Sequence, residues 1–285
     1  MSLFEQCAIK TEDDFPLVAR FFEPEQAAVG TIVIAPAMGV GQKFYQDFAE
    51  WLQGQNYRVV TFDYRGIGFS RYGSLRGLKA DIFTWAQKDC GAVLAEIKRR
   101  GYEDPLTWIG HSLGGQILPL VPNHEMVRKM VTVATGSGYW RENSPSLKRM
   151  VWWLWYFLVP LSLPLFGYFP GKRFRKVGDL PKGVMAQWRR WCMNREYSVG
   201  VEGDAVRDLY ASVQQPITSL SFEDDQYMSL RNTESIHSFY RGSDLCLKRL
   251  SPKDTDGQAI GHFGFFRAKF KESLWRAHLL PELQV

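Results

Sequence analysis

The pentapeptide Gly110-His111-Ser112-Leu113-Gly114 follows the strand-forming run Leu106-Thr107-Trp108-Ile109 and is followed by a further glycine, Gly115. A serine flanked by glycines two residues away on each side, set between a strand and a helix, has the pattern of a nucleophile elbow. The glycines are needed because the turn is so tight that larger side chains at those positions would collide with it. Small neighbours let the serine hydroxyl project from the top of the sheet, and the helix that follows is expected to aim its N-terminal N–H groups and positive dipole end at the site. A serine hydroxyl becomes a useful nucleophile only beside a general base that a third group orients. Five histidines (His111, His124, His237, His262 and His278) and the acidic turn Glu223-Asp224-Asp225 are the available partners. The chemistry within reach of such a set is attack on a carbonyl through an acyl-enzyme.

The surrounding segments predict the scaffold. The runs EQCAIKT and PLVARFFEP, separated by Asp13-Asp14, read as a hairpin. GTIVIAPA is a continuous β-branched run, as expected of a strand buried on both faces. KFYQDFAEWLQGQN carries Phe44, Phe48, Trp51 and Leu52 at helical spacing. YRVVTFDYRG is strand, KADIFTWAQKDCGAVLAEIKRRG a long amphipathic helix stopping at Gly101, PLTWIG strand, GGQILPLVP a short helix and VRKMVTVATGS strand. Two more strands, QQPITSLSFEDD and GSDLCLKRLSP, enclose the helix NTESIHSFYR, and FGFFRAKFKESLWRAHLL closes the chain as a helix. Alternation of this kind makes βαβ crossovers. The expected fold is α/β, a mostly parallel central sheet flanked by helices, in one domain spanning 1–285. Residues 139–205 break the alternation. They hold six of the ten tryptophans and read as a helical, aromatic-rich cap inserted between two sheet strands.

Several stretches, taken in order, resemble the α/β-hydrolases. IVIAPAMG is similar to the strand and loop that supplies half of that family's oxyanion hole, FDYRGIGFS to its D-x-R-G-x-G-x-S loop with Asp63, Arg65, Gly66, Gly68 and Ser70 in place, and GHSLGG to its elbow. More closely, FGYFPGKR, QWRRWC and IGHFGFFR resemble segments of the serine-aminopeptidase-like (hydrolase-4-like) group of predicted bacterial α/β-hydrolases. The resemblance spans nearly the whole chain and implies a Ser-acid-His order. Similar hydrolases carry G-x-x-D after the strand that corresponds to ITSLSF. Phe222 stands in the glycine's place, which puts Asp225 on the acid, with Asp224 as the alternative. His262, in a loop after the last strand and flanked by Gly261 and Gly264, lies where the family's histidine lies; His124 precedes the acid, His111 adjoins the serine and points away from it, and His237 and His278 fall in helical runs. The resemblance implies an oxyanion hole made of the Leu113 N–H and, from Pro36-Ala37-Met38 in place of His-Gly-x, the Met38 N–H.

Composition narrows the partners. The net charge is +5, from 35 Lys and Arg against 30 Asp and Glu, without a concentrated basic stripe, so nucleic acid is not expected. Cys7, Cys90, Cys192 and Cys246 are widely spaced, so neither a metal nor a redox pair is expected, and no cofactor is implied. The start of the chain has no apolar h-region, and a cytoplasmic protein is expected. Residues 150–171 carry no charge and are long enough to span a bilayer. A crossing there would put Ser112 on one side and Asp225 with His262 on the other, and Pro160 and Pro164 interrupt the helix, so a cap is expected, with peripheral membrane contact through it as the alternative. The expected function is cleavage of an ester or thioester with an apolar acyl part. A peptidase or acyltransferase using the same residues, and a non-catalytic binding module on the same fold, are the alternatives; a peptidase would want an acid for the substrate amine, for which Glu196 and Glu202 are the candidates.

Overall fold

The structure is a computed structural model that describes residues 4–174 and 178–284; residues 175–177 of the 139–205 span lie outside it. The chain opens with the antiparallel pair β1 (Glu5–Lys10) and β2 (Pro16–Phe22). β3 (Gly30–Ala35), α1 (Gln46–Gln53), β4 (Tyr57–Phe62), a helix over Thr84–Cys90 continued as α2 (Gly91–Arg99), β5 (Leu106–His111) and β6 (Val127–Val133) follow. Next comes a run of helices. α3 (Pro145–Trp153) continues through Leu154–Leu158 into α4 (Val159–Phe166). The two-residue ladder β7 (Tyr168–Phe169) and β8 (Leu180–Pro181) leads to α5 (Lys182–Met193), α6 (Tyr197–Glu202) and α7 (Asp204–Ser212). The chain then returns to the sheet with β9 (Ile217–Phe222), α8 (Leu230–His237) and β10 (Leu245–Leu250), and ends in the single turn α9 (Gly261–Gly264) and a helix over Lys271–Leu279 that runs into α10 (Leu280–Leu283).

The sheet order is β1-β2-β4-β3-β5-β6-β9-β10. β2 pairs antiparallel with both its neighbours, and every pairing from β4 to β10 is parallel. Parallel strands need crossovers, which lay helices on both faces. β3 is fully buried, and its side chains divide between two cores. Val33 and Ala35 face the layer that contains Trp85, Val93 and Ile97, while Ile32 and Ile34 face Phe48 and Leu52 of α1 with Phe265, Leu274 and Trp275. The first core extends into the helical run between β6 and β9 through Leu147, Val151 and Trp155.

Two expected helices differ. GGQILPLVP forms two short 3₁₀ turns, Ser112–Gly115 and Leu118–Leu120, rather than a helix. Gly114 and Gly115 are poor helix formers, and Pro119 cannot donate to a continuing ladder. The closing helix begins only at Lys271; FGFFRAKF is divided between α9 and a short turn at Ala268–Phe270.

Candidate active site

The parallel register sets Ala35 at the end of β3 beside Gly110 of β5. Ser112 follows two residues later in a left-handed backbone conformation, φ 52°, which costs a non-glycine residue about 1–2 kcal/mol. Close packing enforces it. A Cβ on Gly110 would collide with the Gly114 carbonyl, and one on Gly114 with the carbonyl of Ala35. Trp108 Nε1 donates to Gly114 O at 2.8 Å and Thr135 Oγ1 to Ser112 O at 3.2 Å. Among the described residues the Ser112 hydroxyl has no hydrogen-bond partner; it faces a cavity.

The turn after β9 separates the two aspartates. Asp225 Oδ2 lies 2.8 Å from His262 Nδ1, and its Oδ1 accepts from Tyr227 N (2.7 Å) and Met228 N (3.0 Å). Asp224 does other work: its two oxygens accept from Ile260 N (2.8 Å) and Gly261 N (3.0 Å), and so hold the turn that carries His262. With its Nδ1 engaged by a carboxylate, His262 leaves Nε2 without a protein partner among the described residues. The ring is wedged between Tyr227 and Phe263, at centroid distances of 5.1 and 4.9 Å. Ser112 and His262 line the same cavity.

His111 lies beneath the serine and points away from it. Its ring is fully buried, and burial holds its pKa well below the usual histidine value, so it is neutral. The proton positions follow from the partners. Ala37 N–H donates to Tyr45 Oη (2.9 Å), so the Tyr45 hydroxyl donates to His111 Nδ1 (2.8 Å), and His111 Nε2–H donates to the His262 carbonyl (3.0 Å). One buried chain of hydrogen bonds therefore ties the loop after β3, the end of β5 and the α9 turn together. It uses up the Ala37 N–H. The next amide, Met38 N–H, and the Leu113 N–H have no acceptor among the described residues. No local sequence signal marks Tyr45, whose partner is 66 residues away.

The FDYRGIGFS stretch stabilises the same region from below. Asp63 accepts from Gln42 N, Gln42 Nε2 and Phe69 N at 2.7–2.9 Å, and Arg65 binds Asp89 and Asp13. Burial raises the Asp63 pKa. These residues brace loops and do not reach the cavity.

The cavity measures about 220 Å³. Its floor includes Met38, Ser112 and His262; its roof comes from the helices between β6 and β9, with Leu147, Val151 and Trp155 on one side and Trp188 and Cys192 of α5 on the other. Trp155 and Trp188 meet edge to face at 5.1 Å. Asn143 adds a polar side chain to a mostly apolar wall, and among the described residues no Asp, Glu, Lys or Arg lines it. Glu196 and Glu202 lie elsewhere. Glu196 pairs with Arg207, and Glu202 accepts from Gln187 and Trp191. The roof is tied to the elbow through Gln116, whose amide oxygen accepts from Tyr197 Oη (3.0 Å) and whose carbonyl accepts from Tyr210 Oη (2.7 Å).

Comparison with known proteins agrees with this architecture. The family model described as "Serine aminopeptidase, S33" matches residues 26–187, more than half of the chain. Among solved structures, DcsB in complex with its substrate analogue superposes with a TM-score of 0.63 at 17% identity, covering 96% of this chain and 97% of that one. An esterase of Pyrococcus furiosus gives 0.62 at 14% identity over 96% and 87% of the two chains. A thermostable carboxyl esterase of Bacillus coagulans gives 0.61 at 12% identity over 88% and 91%. At these identities the likeness is one of fold. No curated protein matches in sequence.

Proposed function

The chain belongs to the serine aminopeptidase family of α/β-hydrolases and is a hydrolase, and from that premise we propose that it cleaves neutral esters or thioesters with an apolar acyl part through Ser112, His262 and Asp225. His262 Nε2 takes the proton of Ser112 as the serine oxygen attacks the carbonyl carbon, and Asp225 holds the imidazole in the Nδ1–H tautomer and stabilises its cation. The oxyanion that forms accepts from the Met38 and Leu113 N–H groups, each donor of this kind contributing about 2.7–4 kcal/mol to the transition state. His262 then protonates the departing alcohol or thiol. Water, deprotonated by the same nitrogen, releases the acid from the acyl-serine.

The observation that carries this reading is a cavity that opens onto Ser112 and His262 and, among the described residues, has no Asp, Glu, Lys or Arg in its wall. An aminopeptidase needs a carboxylate for the substrate amine, and both candidate glutamates are engaged elsewhere. The helices α3–α7 act as a cap that selects the acyl group and excludes water. At about 220 Å³ the space is below the usual 300–1,000 Å³ of drug-sized sites, which suits a short or medium chain. Each methylene buried gains about 0.8 kcal/mol, close to a fourfold gain in kcat/KM. The test is twofold. A fluorophosphonate labels the wild type and not Ser112→Ala, and kcat/KM for p-nitrophenyl esters rises from acetate to butyrate or hexanoate and then falls. Labelling of a folded Ser112→Ala protein would overturn the nucleophile, and a series flat or falling from acetate onward would overturn the acyl pocket.

A further inference from the structure

The helix that roofs the cavity has a second face. Leu147, Val151, Trp155, Val159 and Leu163 recur at four-residue intervals and are buried, as one stripe of an amphipathic helix should be. The opposite side is not polar. Trp152, Trp153, Tyr156, Phe157, Leu161 and Leu165 are all exposed, Trp153 by 61% and each of the two leucines by 68%. The aromatic members touch one another, Trp153 to Phe157 at 4.8 Å and Trp152 to Tyr156 at 5.6 Å, and form one cluster, with the two leucines exposed on the following turns of the same helix. Leu147–Phe166 is long and apolar enough to cross a membrane by length and composition, yet only 28% of its most apolar window is buried. A helix apolar all round belongs inside a protein or in lipid, and a contiguous exposed apolar surface marks an interaction site.

Charge decides the occupant. From residue 143 to residue 178 the sequence holds Lys148, Arg149, Lys172, Arg173, Arg175 and Lys176 and no Asp or Glu. Lys148 and Arg149 stand at the start of the exposed face, and Lys172 and Arg173 just beyond its end. Apolar and aromatic residues rimmed by cations fit a bilayer surface with anionic headgroups. A second copy of the chain fits poorly, because a two-fold contact through this face would set the same cations against themselves. The buried stripe binds the helix to the body of the protein, so it lies in the plane of the interface and does not span it.

We propose that the face Trp152–Leu165 docks the protein on an anionic lipid surface, with the roof of the cavity as the docking element. The proposal does not depend on which substrate the site takes, and its test does not read hydrolysis. The full-length protein is sedimented with phosphatidylcholine vesicles with and without 30% phosphatidylglycerol. The expected result is strong binding to the anionic vesicles, weaker binding in high salt, and a blue shift of tryptophan emission. Trp153→Ser/Leu161→Ser/Leu165→Ser abolishes binding while turnover of a soluble ester in the absence of lipid is kept, and Lys148→Gln/Arg149→Gln weakens binding roughly thirty-fold, as loss of two surface cations should. No binding to anionic vesicles overturns the proposal. So does equal binding by the triple variant, or a wild-type dimer in sedimentation that the triple variant converts to monomer without any vesicle binding by either.

Discussion

Replacing Asp225 with asparagine tests the proposed mechanism most sharply, because the surroundings dictate how the new side chain must sit. Asp225 Oδ1 accepts from two backbone amides, Tyr227 N and Met228 N, and Oδ2 faces His262 Nδ1. Asparagine has one oxygen. Turned toward His262, the amide would set its N–H₂ against two N–H donors and leave both unsatisfied, at about 1–3 kcal/mol each. The oxygen therefore stays with the backbone, and the N–H₂ points at His262 Nδ1. That nitrogen must then be the acceptor, the ring proton moves to Nε2, and Nε2 cannot take a proton from Ser112. Such a tautomer error costs about 10⁴ in kcat, or about 5 kcal/mol of barrier, with little change in fold stability because the backbone bonds survive. Asp224→Asn is the control. It disturbs one of two N–H contacts to the His262 turn, which predicts a stability loss of about 1–3 kcal/mol and a kcat within about tenfold of wild type. The assay is steady-state hydrolysis of p-nitrophenyl butyrate, with urea unfolding of each variant. Asp225→Asn activity within tenfold of wild type, or a larger loss in Asp224→Asn, refutes the reasoning.

Tyr45→Phe strips the acceptor from Ala37 N–H and the donor from His111 Nδ1, both buried; at about 1–3 kcal/mol for each orphaned group it should cost at least about 2 kcal/mol in urea unfolding and lower kcat more than it raises KM, and a loss under about 0.5 kcal/mol would show that the network is slack. His237 is buried between Thr132 Oγ1 and Thr233 O, and burial lowers its pKa to about 4. The unfolded chain takes up this proton near pH 6.5 and the folded chain refuses it. Stability from this group is therefore complete above about pH 6.5 and falls by up to about 3 kcal/mol as the pH drops toward 4. The slope of unfolding free energy between pH 7 and 4.5 should be shallower in His237→Gln than in wild type, and identical slopes would exclude His237 as the cause.

Much of the scaffold was legible in the chain because its rules are local. Continuous β-branched runs mark GTIVIA and YRVVTF as buried strands, and 3.6-residue spacing marks α1 and α2, since periodicity is a property of a few neighbouring residues. The elbow was legible for the same reason: the collisions that require Gly110 and Gly114 lie within a few residues of Ser112 or on the strand beside it. Local rules misjudged GGQILPLVP, where apolar content suggested a helix and two glycines with Pro119 left only short turns. What adjacent residues could not settle was decided by packing between distant ones. Asp224 and Asp225 are chemically identical, and only the fold turns one to the His262 ring and the other to the amides of Ile260 and Gly261. The Tyr45–His111–His262 chain spans separations of 66 and 151 residues. The helix over Leu147–Phe166 reads in sequence as one apolar stretch. Only the tertiary structure divides it into a face that roofs a cavity and a face left open, because burial depends on what lies opposite each side of a helix and not on the helix itself.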